Sequence, residues 1–556
     1  MSCGAPQPTS APDPRRSDQN FLVAALAVRA LGPITSESTR GWGVRVLGAG
    51  LGALATQCCL LALCGLLTLW AGCGDDATAR TIESATFFVP NVPSLGCFDS
   101  VAALGSCARR LDCDPSERCV FDSSIVPDDR MPASLRCAPP VGARVALQAC
   151  ERGADCQSGL CALTGVCLEP CLLEEDCAES QSCRPVEVRT GEASLQPVMA
   201  CTHRLVLPAD VEILAAPRGH ELRRGQNDVP IPGAAQPALV YLQGDCARSV
   251  DVVTLRSLDL GRNVYDRGQL AVGKHSENTI LHDGSALAAL MFPNNPELAP
   301  SLTGLTLGVR SPTAQHVEVV VAARAPGAGI LDLNVFYVGG GAEEVEGGFH
   351  PGERRVAGML ANLDQRLRTM GMSVGRTREF DVVGALREEL SVLEVPVRMV
   401  GERRIEGRPK RIDELFKLSA GLDSVGLNIF LIRDMSSYVG IAGGIPGVLG
   451  LHGTARSGVA LAIDQMGDLD DADLVLLHEL AHYLGLFHTT ESSGTVLDPL
   501  ADTVECTSAE DKDEDHELST DECWDEGADN LMFWTGSGAL LTKQQIAVMA
   551  SSVLLR

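Results

Sequence analysis

Three histidines and a glutamate constrain this chain more than any other feature. They stand in the run His478-Glu479-Leu480-Ala481-His482-Tyr483-Leu484-Gly485-Leu486-Phe487-His488, which reads H-E-x-x-H-x-x-G-x-x-H. Histidines four positions apart lie one turn apart on the same face of a helix, so both rings can reach one ion. The spacing therefore demands a helix through His482. Gly485 can take the positive φ that ends such a helix, and the chain can then bring His488 back as a third ligand. Glu479 falls beside the ion without having to bind it. The fourth position stays open to water, as in a catalytic rather than a structural zinc site. Residues 471–477 (DADLVLL) run into the motif with apolar residues at helical spacing, so its first half is expected on a buried helix.

The sequence before the motif has α/β character. Residues 330–337 read as a buried strand. Residues 353–370 carry Val356, Met359, Leu360, Leu363 and Leu367 on one helical face, and 373–383 read as a strand. A short helix is expected at 415–420, a buried strand at 427–432, and a further strand at 457–463 leading into the metal helix.

A second motif follows 44 residues after His488, where Met532 lies in Asn530-Leu531-Met532-Phe533-Trp534. With the segment 494–506 (GTVLDPLADTVEC) and the helix start at 541–545, these motifs resemble the metzincin clan of zinc metallopeptidases, and within it the pappalysin family. The resemblance covers roughly 329–556 and is strong from His478 onward. It implies an α/β catalytic domain that hydrolyses peptide bonds in a peptide or protein substrate, with one zinc on His478, His482 and His488. Glu479 would be the general base, Gly485 the turn between ligands, and Met532 a hydrophobic floor below the metal. Cys506 and Cys523 would form a disulfide. The strand just before the metal helix would be the cleft edge, to which an extended peptide can add. Two positions depart from the family pattern. Trp534 stands where the family has a tyrosine able to contact the metal or the reacting oxygen, and an indole N–H can donate but cannot ligate through oxygen. Val504 stands where a proline is expected after Asp502-Thr503.

The length, 556 residues, suits three or four domains. A net charge of −27 disfavours nucleic acid as a partner, because that requires a basic face. Thirteen of the 21 cysteines lie between Cys97 and Cys201, without the C-x-x-C knuckles of metal sites, so disulfides in an oxidising compartment are expected. They repeat. Cys107 to Cys113, Cys150 to Cys156 and Cys171 to Cys177 each read C-x-x-x-x-D-C, followed by Cys119, Cys161 and Cys183. Thirteen is odd, which points to Cys246 as the outside partner.

Export is also written at the N-terminus. Residues 46–72 are almost uninterrupted apolar sequence preceded by Arg40 and Arg45, and they end in Leu69-Trp70-Ala71-Gly72-Cys73. This resembles a bacterial lipoprotein signal, with Cys73 as the acylated residue and Trp70 departing from the aliphatic first position. The run is also long enough to span a bilayer as a retained helix. Either way the bulk of the protein is expected outside the cytoplasm, tethered at the cell envelope.

The expected architecture is multidomain. Residues 1–73 form the extension and signal or anchor, 74–96 a linker, and 97–201 a disulfide-rich repeat module. Residues 205–326 show short apolar runs between Gly, Pro, Asn and Asp clusters and are expected to form an all-β, sandwich-like domain. Residues 329–556 are the metzincin-like α/β domain. A monomer is expected. The acidic loop 510–522 offers hard oxygen ligands and is a candidate Ca²⁺ site, although a solvated charged loop accounts for it as well. The alternative to a peptidase is a catalytically silent zinc-binding or adhesive surface protein. The presence of Glu479 argues against it, since a structural site needs no base.

Overall fold

The computed structural model describes the short strand Arg80–Thr81, residues 107–339 with short gaps, and residues 354–556 apart from 383–384, 401–402 and 467–471. Cys73 with the apolar run before it, Cys97 and Cys246 lie outside the described residues. The fold is mixed, mostly sheet with few helices, and includes a cysteine-rich disulfide region. Among the described residues no helix is long and apolar enough to cross a membrane.

In the disulfide region the pairs are Cys107–Cys119 with Cys113–Cys137, Cys150–Cys161 with Cys156–Cys167, and Cys171–Cys183 with Cys177–Cys201. Each repeat is thus four cysteines long, with the first bonded to the third and the second to the fourth. The two loops cross, so each limits the unfolded chain where hydrophobic core is scarce. Asp155 shows one use of the repeat's aspartate, since its carboxylate accepts from the Arg152 amide and closes a single 3-10 turn, Gly153–Asp155. With these twelve paired among themselves, Cys97 is the odd cysteine of the cluster.

Residues 212–323 build two antiparallel sheets. One runs in the order Thr279–His282, Leu287–Phe292, Ala238–Gly244, Gln315–Ala323, Glu212–Leu222. The other runs Arg262–Asp266, Asp251–Ser257, Gly304–Ser311, Gly225–Pro232. Side chains alternate across the first sheet. Val240, Leu242, Leu290, Phe292, Val319 and Val321 fill the core it shares with the second sheet. Leu239, Tyr241, Ala289, Met291, Val320 and Ala322 face the opposite way, into a core shared with the α/β part. Burial on both faces explains why 238–242 and 289–292 are continuously apolar.

The α/β sheet has the order Met372–Asp381, Gly329–Tyr337, Leu427–Ile432, Val459–Ala462, Gly440–Ala442, all parallel except the last pair. Its helices are α1 (Arg354–Thr369), α2 (Ala385–Leu390), α3 (Ile412–Lys417), α4 (Ala472–Tyr483) and α5 (Lys543–Ala550). Val335, Ile429 and Leu461 face α1 and α4, whereas Phe336, Phe430 and Ala462 face α3. Two sequence expectations need correction. The strand just before the metal helix is interior, not the cleft edge. The edge is Gly440–Ala442, three residues long and too short to show a period. The short helix begins at Ile412, before Leu415, with Arg411 in a left-handed conformation at its start.

Candidate metal centre

Helix α4 carries the first two histidines and ends as the glycine rule requires. Gly485 sits at φ 115°, its amide donates to His482 O at 2.9 Å, and the Leu486 amide donates to Ala481 O at 2.9 Å. This pair of bonds is a Schellman cap with glycine at the left-handed position. The helix is buried along nearly its whole length.

All three imidazoles use Nδ1 for orientation. His478 Nδ1–H donates to Leu531 O at 2.7 Å, and His482 Nδ1–H to Leu486 O at 2.7 Å, since a carbonyl can only accept. His488 Nδ1 lies 3.1 Å from Glu491 Oε2. Each Nε2 is thereby left with its lone pair, and the three converge. His482 Nε2 is 3.0 Å from His478 Nε2 and 3.1 Å from His488 Nε2. Nitrogens about 2.0–2.1 Å from one tetrahedral ion would stand roughly 3.3 Å apart, so the group fits a single first-row divalent cation. Burial, and then the charge of His488, lower the His478 pKa from 6.5 to about 3. Burial lowers His482 well below its ordinary value too, with His478 and His488 adding to the effect. Both rings are neutral at ordinary pH, as metal ligands must be.

Glu479, next to His478 in the chain, is fully buried. Neither carboxylate oxygen has a hydrogen bond of good geometry. Burial raises its pKa well above the ordinary value, and the backbone of Ala442 opposes that only in part. Gly440 on the edge strand packs against it, and an added Cβ there would lie 2.7 Å from Oε1. A buried carboxylate whose oxygens make no hydrogen bond of good geometry, and which only the Ala442 backbone approaches, is poorly satisfied for its depth.

The Met532 turn acts on the centre through its backbone. Leu531 supplies the carbonyl that orients His478, and Met532 O accepts from the Thr489 amide at 2.8 Å. The Met532 amide donates to Asn530 Oδ1 at 2.8 Å, and Asn530 exchanges two hydrogen bonds with Gln545 of α5, at 2.9 and 3.1 Å. The Met532 side chain is buried in the same core cluster as Leu477, Leu480 and Ala481. Trp534 turns to a different task. Its indole N–H donates to Leu518 O at 2.6 Å, and the ring packs with Cys506, Leu518 and Cys523. Cys506 and Cys523 are bonded. The Cys506 amide donates to Thr490 Oγ1 at 3.1 Å, tying the loop to the chain just past His488.

In the acidic loop, Asp511, Asp513 and Glu522 offer oxygens within 4.8 Å of one another. Both Glu522 oxygens already accept from the loop itself, from the Lys512 amide at 2.7 Å and from the Ser519 amide at 2.8 Å. These bonds hold its pKa at about 2. Sequence reasoning missed Gly440, Glu491 and the carbonyls of Leu486 and Leu531. An acid three residues after the third histidine was a readable signal for Glu491. A backbone carbonyl carries no residue signature. No protein-family model and no curated protein matches this chain.

Proposed function

We propose that this chain is a zinc-dependent endopeptidase, similar in design to the metzincins. The observation that carries the reading is the convergence of three Nε2 lone pairs, with a fully buried glutamate next to the first of them in the chain. His478, His482 and His488 would hold the ion. Bound there, zinc would supply Lewis acidity, lowering the pKa of a coordinated water toward ~7 and polarising the scissile carbonyl.

The chain's own groups do the rest. Glu479 takes the proton of the attacking water, and its raised pKa suits a group that must hold that proton and then deliver it to the leaving amine. The carbonyls of Leu531 and Leu486 and the carboxylate of Glu491 fix ring orientation from behind, which preserves geometry as charge shifts. The edge strand Gly440–Ala442 is the last in its sheet and lies against Glu479. An extended peptide pairing with it would pass beside the base. Trp534 has its N–H committed to Leu518, so no transition-state role is assigned to it. The crossed disulfides favour an oxidising compartment, consistent with export and an envelope tether at Cys73 or the preceding apolar run.

The test is Glu479→Gln in the exported part of the chain, assayed on a peptide library with and without chelator. Hydrolysis should fall by at least about 100-fold while zinc stays bound at one per chain. A wild-type sample that holds zinc and cleaves nothing would favour the silent metal-binding protein instead.

A further inference from the structure

We propose that Met291, which belongs to the two-sheet unit and not to the metal helix, is a positioning residue of the metal centre. The inference rests on the reading of His478, His482 and His488 as the metal ligands. Met291 lies on the strand Leu287–Phe292, on the face of the five-stranded sheet turned toward the α/β part. Its thioether reaches the turn between the second and third histidines. A Cβ added to Gly485 would lie 2.7 Å from Met291 Sδ and 3.4 Å from Met291 Cε, with Val548 Cγ1 of α5 at 3.6 Å. The space left by the glycine's missing side chain is thus filled from two sides.

What that turn carries makes the contact consequential. Leu486, the next residue, supplies the carbonyl that orients His482 at 2.7 Å, and His488 itself follows two residues later. Removing the thioether leaves a void under the cap, and packing on that side no longer decides between neighbouring turn conformations. Two of the three ligands then lose angular definition together. The same sheet also braces the end of α4. The Tyr241 hydroxyl donates to Leu449 O, and the Gly447 amide donates to Tyr483 O, the last residue of the helix, at 2.8 Å. The flexible, polarisable methionine suits a wall that must follow an irregular turn.

The experiment compares Met291→Ala, Met291→Leu and Leu242→Ala in the full exported chain. Leu242 faces the other way, into the core between the two sheets, and so reports destabilisation of the sheet without the contact. Zinc affinity is measured by chelator competition at a temperature where circular dichroism shows every variant folded. Met291→Ala should weaken zinc about 10-fold, in the range seen when support behind metal ligands is removed. Met291→Leu should bind within about twofold of wild type, and Leu242→Ala should lower the melting temperature while leaving affinity unchanged. Should Met291→Ala fail to fold, Met291→Val carries the same expectation. Unchanged affinity in the alanine or valine variant overturns the proposal, as does an equal loss in Leu242→Ala. A wild-type chain that binds zinc but cleaves no peptide sinks the peptidase reading alone, whereas one that binds no zinc sinks both.

Discussion

Glu479 makes no hydrogen bond of good geometry through either carboxylate oxygen, which makes the residue packed against it decisive. Gly440 leaves room for the carboxylate, and a methyl there would meet Oε1 at 2.7 Å. Gly440→Ala is expected to lower kcat by at least about tenfold, since general-base catalysis falls steeply with displacement, while metal stoichiometry measured by atomic absorption stays at one. The buried rings add a pH signature to the metal-free protein. Folding holds His478 at about 3 and lowers His482 as well, against an ordinary 6.5. Between pH 6.5 and about 3 the unfolded chain therefore binds more protons, and stability falls as pH falls. Glu479 acts in the opposite sense. Its raised pKa makes the folded state the better proton binder above 4.5, so that contribution is lost as pH rises. Metal-free Glu479→Gln removes this second effect, and its melting temperature should drop steadily from pH 6.5 toward 3. A flat profile would show that the rings are hydrated, not buried.

The metal helix is positioned by its neighbours more than by its own sequence. Asp473, in the first turn of α4, is fully buried and pairs with Arg366 of α1, while its second oxygen has no partner. The carboxylate also sits where the helix dipole favours negative charge. Arg366→Ala would leave that charge buried and uncompensated. The guanidinium is partly exposed, so the expected loss is about 2 kcal/mol, below the range for fully buried pairs; thermal denaturation checks it, and Asp473→Asn in the same background should recover part of the loss. Legibility at this scale followed length and period. The metal helix, α1 and the strands Gly329–Tyr337 and Leu427–Ile432 were readable because apolar residues recur over enough positions. The edge strand Gly440–Ala442 was not, because three residues in a glycine-rich stretch carry no period, and its place beside Val459–Ala462 is a long-range pairing. α2 and the hairpin Val397–Val400 with Arg403–Glu406 escaped for the same reason.

Across the whole molecule, the two-sheet unit and the α/β part share one core. Leu239, Tyr241, Met291, Val320 and Ala322 pack in the same cluster as Leu331, Ile429, Leu480 and Leu554. Arg324 adds a polar tie, donating to Ala550 O at the end of α5 at 3.1 Å. A chain cut to 329–556 would expose that shared face, and it is expected to aggregate or lose its near-ultraviolet dichroism. A chain of 205–556 should stay soluble and bind zinc. The disulfide region meets the α/β part at Leu160, Leu168 and Ala200 with Ala420, and again where α3 approaches the strand Gln181–Arg189, and its removal is expected to matter less than removal of the two-sheet unit. Sequence alone singled out the three histidines that come together, the helix that carries His478, Glu479 and His482, and the cysteines that pair, because each depends on residues close together in the chain or on composition. Only the tertiary structure decided which carbonyls orient the rings, that Glu479 rests against Gly440, that Trp534 serves the disulfide loop, and that a sheet some two hundred residues upstream braces the metal turn. Those are contacts between distant segments, set by how two buried faces pack, and no local pattern encodes them.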